Sequence, residues 1–554
     1  MKNYTVGVDF GTLSARAAVV SLTGELLGSC SADYPHGVMN GAPGQPSQGP
    51  AWALQHPEDY LQVLRRIVPE ALRQAGVSPE QAAGLALDMT SCTVLPVTAD
   101  GTPLCRLERF RDEPHAYVKL WKHHAAQSQA GRMTRLARER QEPWLPDYGG
   151  IISSEWLFPK LAQILEEAPE VYAAADLFLE AGDWLVWQLT GALRRGRCGA
   201  GYKAFCTENE YPRDFLRAFD PRLEAGLSRL DGQLLPQDGR AGELTAQGAA
   251  LTGLPIGTPV AAAHVDAHVS AAAAGVCTSG RMVMIMGTSA CHMLLHEEKI
   301  PVPGICGVVK DGILPGFYGY EAGQPAVGDC FQWFLENALP GSYEEEAKRR
   351  KIGLHALLRE KAARLLPGES GLLALDWWNG NRSVLNDAGL SGMLMGLTLH
   401  TRPEEIYRAL LEATAFGTRK IIESFRQSGV PVDSLTALGG IPGKDPLAMQ
   451  ICADVLGMPV EVPESTLSPA FGSAIFAAAA AGVYPSMTAA IDAMSHPHPV
   501  IYRPDPASAA VYDQMYEEYS ALHDYFGRSS AAMKRLKELA ARQRSQQRGE
   551  STSC

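Results

Sequence analysis

The chain has no CxxC pair, no apolar run long enough to span a bilayer and no surplus of basic residues. Each absence excludes a class. Its 11 cysteines are scattered, which argues against both a zinc ribbon and a disulfide framework. The longest apolar stretch, residues 470–483, is rich in alanine and glycine and falls short of the ~20 residues a spanning helix needs. A net charge of −12 argues against general binding to nucleic acid or anionic membranes. The opening MKNYTVGVDFGT carries one lysine and then alternating strand-like residues, not the basic-then-apolar plan of a secretory signal. These features predict a cytoplasmic enzyme with no nucleic-acid or membrane partner. At 554 residues the chain exceeds one ordinary core and should divide into two domains.

What is present is a repeated strand–loop pattern. Residues 4–9 are apolar and β-branched, Gly11-Thr12 turns the chain, 16–22 follow, and Thr23-Gly24 sends 25–32 back. Residues 37–50, rich in glycine and proline, read as a loop. Pro57, with Glu58 and Asp59 behind it, opens a helix to about Ala75, and 85–88 form a buried strand. Three antiparallel strands, a helix and a further strand are the order of a ribonuclease-H-like domain. Residues 105–255 read as mostly helical, and the Gly/Pro-rich residues 253–259 mark a boundary. Beyond it, MVMIMGTSACHMLL at 282–295 echoes VGVDFGTLSARAAVV at 6–20. The echo predicts two related α/β domains, 1–256 and 257–528, facing a cleft. The basic tail, 529–554, reads as a solvated helix with a frayed end. Residues 404–427 have helical periodicity, 435–438 a strand, and Asp445-Pro446 caps and opens another helix.

Three loops that follow strands carry phosphate chemistry: Asp9 to Arg16, with Gly11, Thr12 and Ser14; Gly287-Thr288-Ser289; and Gly439-Gly440. Glycine lets the backbone approach a phosphate, while N–H and hydroxyl groups donate to its oxygens. An acid at a strand end, Asp9, suits a hydrated Mg²⁺. Each loop alone is also an ordinary turn; together they point to a nucleotide cleft. GGIPGKD is not a P-loop, because its spacing fails GxxxxGK[ST]. His264-Val265-Asp266-Ala267-His268 alternates histidines around an acid. On a strand all three would share a face, as in a metal site. The stretch lies where a strand gives way to a helix, however, and no fourth ligand stands at recognisable spacing.

VGVDFGTLSAR, LQHPEDY, DMTSCTVLP, GAGYKAF, HVDAH, EAGQPAVGDCFQWF, DWWNGNRS and MQICADVLG, between residue 4 and about 480, resemble the FGGY carbohydrate kinases of the actin and sugar kinase superfold. Among these they most resemble the members that phosphorylate L-ribulose. The resemblance implies two actin-like ATPase domains flanking a catalytic cleft. It implies γ-phosphoryl transfer from ATP to the 5-hydroxyl of L-ribulose, with D-ribulose also accepted, as part of L-arabinose catabolism. Asp266 matches the base that deprotonates the hydroxyl, with Ser91, Lys203 and Glu321 beside it on the sugar. Gly11, Thr12, Ser14, Arg16, Gly287, Thr288, Ser289, Gly328, Gln332, Gly439, Gly440 and Asp445 would surround ATP, with Mg²⁺ held near Asp9 through water. Gly328 and Gln332 would share one helical face.

The chain departs from the pattern at Tyr202 and at Asp445, where asparagine is expected. Aspartate only accepts, so Asp445 serves as a helix cap on the other reading. The stretch from Trp377 to Arg382 reads as buried aromatics under a turn, and the resemblance suggests a homodimer. The rival readings are a kinase of another pentulose or pentitol, such as xylulose or ribitol, a non-catalytic actin-like nucleotide switch, and a metal hydrolase built on HVDAH.

Overall fold

The computed structural model describes residues 2–207, 210–230, 232–464 and 467–550. Two mixed sheets share one strand order. In the first, Tyr4–Phe10 lies between antiparallel Ser14–Ser21 and parallel Ala82–Met89. Leu26–Asp33 flanks the hairpin on one side; Pro259–Ala261 and Arg240–Glu243 extend the sheet on the other. In the second, Gly280–Met286 lies between antiparallel Ala290–His296 and parallel Val432–Leu438. Tyr318–Gln324 and Gly307–Lys310 flank it, and Val460–Pro463 and Pro499–Tyr502 extend it. The two echoing sequence stretches therefore occupy equivalent central hairpins. The first strand is buried along its whole length, as near-continuous apolar sequence with a parallel neighbour requires.

Local signals set the elements with little ambiguity. The helix Pro57–Ala75 begins at proline behind the cap His56, whose ring accepts from Glu58 N, and ends at Gly76 with φ 64°. Its Tyr60, Leu64, Ile67, Val68 and Ala71 are buried against the first sheet.

The alanine-rich helix Ser468–Ala480 crosses from the second half back onto the first sheet. It packs at backbone distance: a Cβ on Gly7 would lie 1.8 Å from Ala470 O, and Thr5 Oγ1 donates to Ala474 O at 2.8 Å. Only small residues on both sides allow that approach. Among the described residues no helix is long and apolar enough to cross a membrane.

Two expectations need correction. The first sheet does not end at residue 256: Pro259–Ala261 and His264–Val265 both pair with Ala82–Met89. The Gly/Pro-rich turn at 253–259 is thus a connection within the first unit, whose apolar strands need that buried partner. The tail helix Ala532–Glu550 is not simply solvated. Met533 is buried, Lys534 Nζ lies 2.5 Å from Asp387 Oδ2, and Lys537 Nζ donates to Ala388 O at 3.2 Å.

Between the first sheet's strands, a mostly helical insertion builds an aromatic core of its own, in which Tyr148, Trp156, Phe158 and Phe205 pack ring to ring. Its helix Arg197–Lys203 is held to that core by Tyr148 Oη, which donates to Gly201 O at 2.5 Å. This insertion supplies one wall of the cleft described next.

Candidate active site

The strand ends of the two sheets face a cleft of about 1320 Å³, lined by Thr12, Lys203, Thr288, Ser289, Glu321 and Arg382 among others. The first loop is fixed at several points. Gly11 N donates to Ser14 O at 3.0 Å, Trp121 Nε1 to Thr12 Oγ1 at 3.1 Å, and Gln55 Nε2 to Thr12 O at 2.8 Å. Opposite, Gly287 N donates to Ser289 O at 2.9 Å, and Gly328 N donates to Gly287 O at 3.0 Å, tying the helix Gly328–Asn337 to that loop.

The third loop abuts the second. Gly439 has φ 104°, and a Cβ there would meet Met286 O at 2.4 Å, so only glycine fits. Gly440 beside it faces open space. Asp445 is buried and accepts from Ala448 N at 3.0 Å; it caps the helix Pro446–Leu456. Gln332 is exposed, and its amide is engaged 2.6 Å from Glu336 Oε1 rather than with either loop.

Strand register assembles the carboxylates. Asp9 pairs with Asp88 across the parallel strands, and His264 pairs with Asp88 from the other side, which sets Asp266 just beyond. Asp9 Oδ2 accepts from Arg16 Nη1 at 2.8 Å. Asp88 Oδ2 accepts from Ser473 Oγ at 2.6 Å, while its Oδ1 finds no donor among the described residues. Burial, reinforced by the Asp9 charge, raises Asp88 well above the usual range. Burial and then Asp9 likewise push half-buried Asp266 up to about 7, against the lowering effect of Ala267 N, which donates at 2.7 Å. Val265 holds the cap position of the helix Asp266–Ala273, and Asp266 is its first residue, whose carboxylate accepts from the first-turn Ala267 N.

The residues expected on the sugar, Lys203 and Glu321, form a charged chain with His268. Lys203 Nζ donates to Glu321 Oε1 at 2.7 Å, and His268 Nε2 lies 3.1 Å from Glu321 Oε2. Burial alone would raise Glu321, but Lys203 and His268 outweigh it and hold the carboxyl well below its usual range. The two histidines of HVDAH diverge. His264 Nε2 donates to Gln237 O at 2.6 Å, and burial lowers its pKa to about 4, whereas His268 turns to Glu321. No metal trio forms from side chains that point to different partners.

Ser91 lies apart from the main cleft, at a small recess bordered by Glu180, Gly196 and Val265. The stretch from Trp377 to Arg382 also differs from expectation. Trp377 is buried, but Trp378, Asn379, Asn381 and Arg382 line the cleft, and Arg382 Nη2 reaches Glu155 Oε1 of the insertion at 3.4 Å. Only the family resemblance of the motif flagged these residues. They sit on irregular backbone, which has no period to read.

Residues 4–273 match the N-terminal domain, and residues 282–481 the C-terminal domain, of the FGGY family of carbohydrate kinases. The chain belongs to this family. Ribulokinase of Geobacillus thermodenitrificans is 50% identical over 97% of both chains, and ribulokinase of Mycolicibacterium smegmatis 51% identical over 96% of both. Xylulose kinase from Rhodospirillum rubrum superposes with a TM-score of 0.76 at 24% identity, covering 94% of this chain and 98% of its own. That likeness concerns the fold. The FGGY assignment makes the cleft between the two sheets the candidate catalytic centre.

The Lys203–Glu321 pair is buried, so removing one partner strands the other. Lys203→Met is expected to destabilise the protein by about 3–5 kcal/mol, and Lys203→Met/Glu321→Gln to recover part of that loss. Denaturant titration of both variants beside the parent checks it.

Proposed function

We propose that this FGGY kinase is an ATP-dependent ribulokinase, transferring the γ-phosphoryl group to the 5-hydroxyl of L-ribulose and yielding L-ribulose 5-phosphate and ADP, a step of L-arabinose catabolism. The observation that carries the reading is the near-full-length identity of about 50% to ribulokinases, and a cleft lined by Thr12, Lys203, Thr288, Ser289 and Glu321 agrees with it. Asp266 accepts the hydroxyl proton; a half-buried carboxylate with a pKa near 7 is matched to that task at neutral pH. Lys203 donates to sugar oxygens and Glu321 accepts from sugar hydroxyls. Backbone N–H groups and hydroxyls of Thr12 and Thr288-Ser289 face the transferring phosphoryl group.

Buried Asp9, with the donorless Asp88 Oδ1 beside it, fits a hydrated divalent cation. Bound there, Mg²⁺ would neutralise phosphate charge; Asp9 would hold it through water. Closure of the cleft excludes water, which competes as phosphoryl acceptor. A homodimer is part of the proposal, supported by the exposed apolar Met395, Leu397 and Leu399 on one short segment.

A coupled ADP-release assay with L-ribulose, D-ribulose, L-xylulose and D-xylulose should give the highest kcat/KM for L-ribulose; a preference for either xylulose overturns the substrate assignment. Asp266→Asn should lower kcat by about 10²–10⁴-fold. Because the base must be ionised, kcat of the parent should rise with pH and level off above about 7. The folded carboxyl titrates near 7 and the unfolded one near ~3.9, so this group's contribution to stability falls as pH rises between them. Asp266→Asn should therefore raise the thermal midpoint most above pH 7, and a lower midpoint at pH 8 would contradict the electrostatic account. Light scattering at twice the chain mass would support the dimer, and a monomer at assay concentration would refute it.

A further inference from the structure

We infer that His268 is a positioning residue for Glu321: held between the Cys198 sulfur and the Glu321 carboxylate, it fixes how that carboxylate faces the sugar. The inference rests on the proposed function, which gives Glu321 its ligand.

Glu321 and Lys203 line the cleft; His268 and Cys198 do not. His268 is 1% exposed, so no substrate reaches it. Its ring is nonetheless fully engaged. Nδ1 lies 2.9 Å from Cys198 Sγ, Nε2 lies 3.1 Å from Glu321 Oε2, and the ring packs 4.3 Å from that of Tyr202. Lys203 holds the other carboxylate oxygen, but through a flexible four-carbon stem that can turn toward a sugar oxygen. When it does, His268 is the contact that keeps Glu321 charged and aimed.

Burial alone would lower the pKa of His268, but Cys198 and Glu321 outweigh it and hold the ring at about 9. At neutral pH both ring nitrogens then carry hydrogen, so Nδ1–H donates to sulfur while Nε2–H donates to the carboxylate. The groups around it are Cys198, Tyr202 and Lys203 on the helix Arg197–Lys203, Glu321 on its strand, and Asp266 and His264 on its own segment. The positive ring also opposes the rise at Asp266, which keeps the base more ionised. The charge, and the bond it strengthens, are present at neutral pH and are lost as pH rises through about 9.

Steady-state kinetics of the full chain, with L-ribulose and ATP varied separately, test this. His268→Ala should raise the sugar KM about 10- to 100-fold and change the ATP KM less than about 3-fold, as expected for one charge-assisted hydrogen bond. His268→Gln keeps a neutral donor and should recover most of that loss. It should also lack the rise in sugar KM that the parent develops near pH 9. An unchanged sugar KM in His268→Ala overturns the inference. So does a rise of both KM values together with a lower thermal midpoint, which marks a merely structural role. Should His268→Ala fail to fold, the glutamine variant decides alone: loss of the alkaline rise supports the inference, and its retention refutes it. A parent enzyme that phosphorylates no pentulose overturns the proposed function and this inference together. An active parent with an insensitive His268→Ala overturns only this one.

Discussion

Two parallel strands, Tyr4–Phe10 and Ala82–Met89, hold Asp9 and Asp88 side by side at their buried ends, and the return strand His264–Val265 delivers Asp266 to the same place. Three carboxyl groups in one low-dielectric corner cannot all ionise freely, since each additional charge is opposed by burial and by its neighbours. The surroundings answer that constraint on every side. Arg16 faces Asp9, and Ser473 of the crossing helix donates to Asp88. A carboxyl poised near neutrality at Asp266 is a consequence of this crowding, because burial and then the charge of Asp9 raise it.

A second polar cluster stands beside the first with the opposite balance. Lys203 and His268 give Glu321 two cationic partners, so this carboxylate stays ionised while Asp266 is held near neutrality. Two nearby acids thus ionise differently through burial and their neighbours, which suits the base and sugar-binding roles proposed for Asp266 and Glu321. Removing an acid from either cluster changes the electrostatic setting of the other, as His268 lies two residues beyond Asp266 and touches Glu321.

Much of this was legible in the sequence wherever the chemistry is local. The helix Pro57–Ala75 begins and ends where its proline, acidic first turn and following glycine dictate. Asp445 caps its helix through the adjacent backbone, and the echoing Gly-Thr turns do occupy equivalent sheet positions. What was hidden depends on register and on distance along the chain. The adjacency of Asp9 and Asp88 exists only once the strands pair. Glu321 and His268 are separated by 53 residues and sit on different sheets' elements. The glycine and proline at 253–259 signal a turn, but no turn states whether the next strand joins the old sheet or starts a new one. Asn379, Asn381 and Arg382 came to notice through a motif, because irregular loops carry no periodicity.

The sugar-side contacts also bear on how the cleft works. Lys203 belongs to the insertion of the first unit and Glu321 to the second sheet, and their ion pair spans the two. Arg382 with Glu155, Asn386 with Gly149, Lys299 with Asp147 and Arg197 with Asp311 join the same two parts. These are mostly half-exposed pairs, individually worth little, but they act over one continuous seam. Among the described residues the loop at Gly439-Gly440 lies outside that seam: both glycines are exposed, and Gln332 is turned to its own helix. The residues proposed for the sugar thus already meet across the interface, whereas the loops proposed for the nucleotide stand on both units, Gly11-Thr12 on the first and Gly287-Thr288 and Gly439-Gly440 on the second. On the proposed function, closure would bring the phosphoryl group to an acceptor site already assembled, an order that suits a kinase that must not transfer to water.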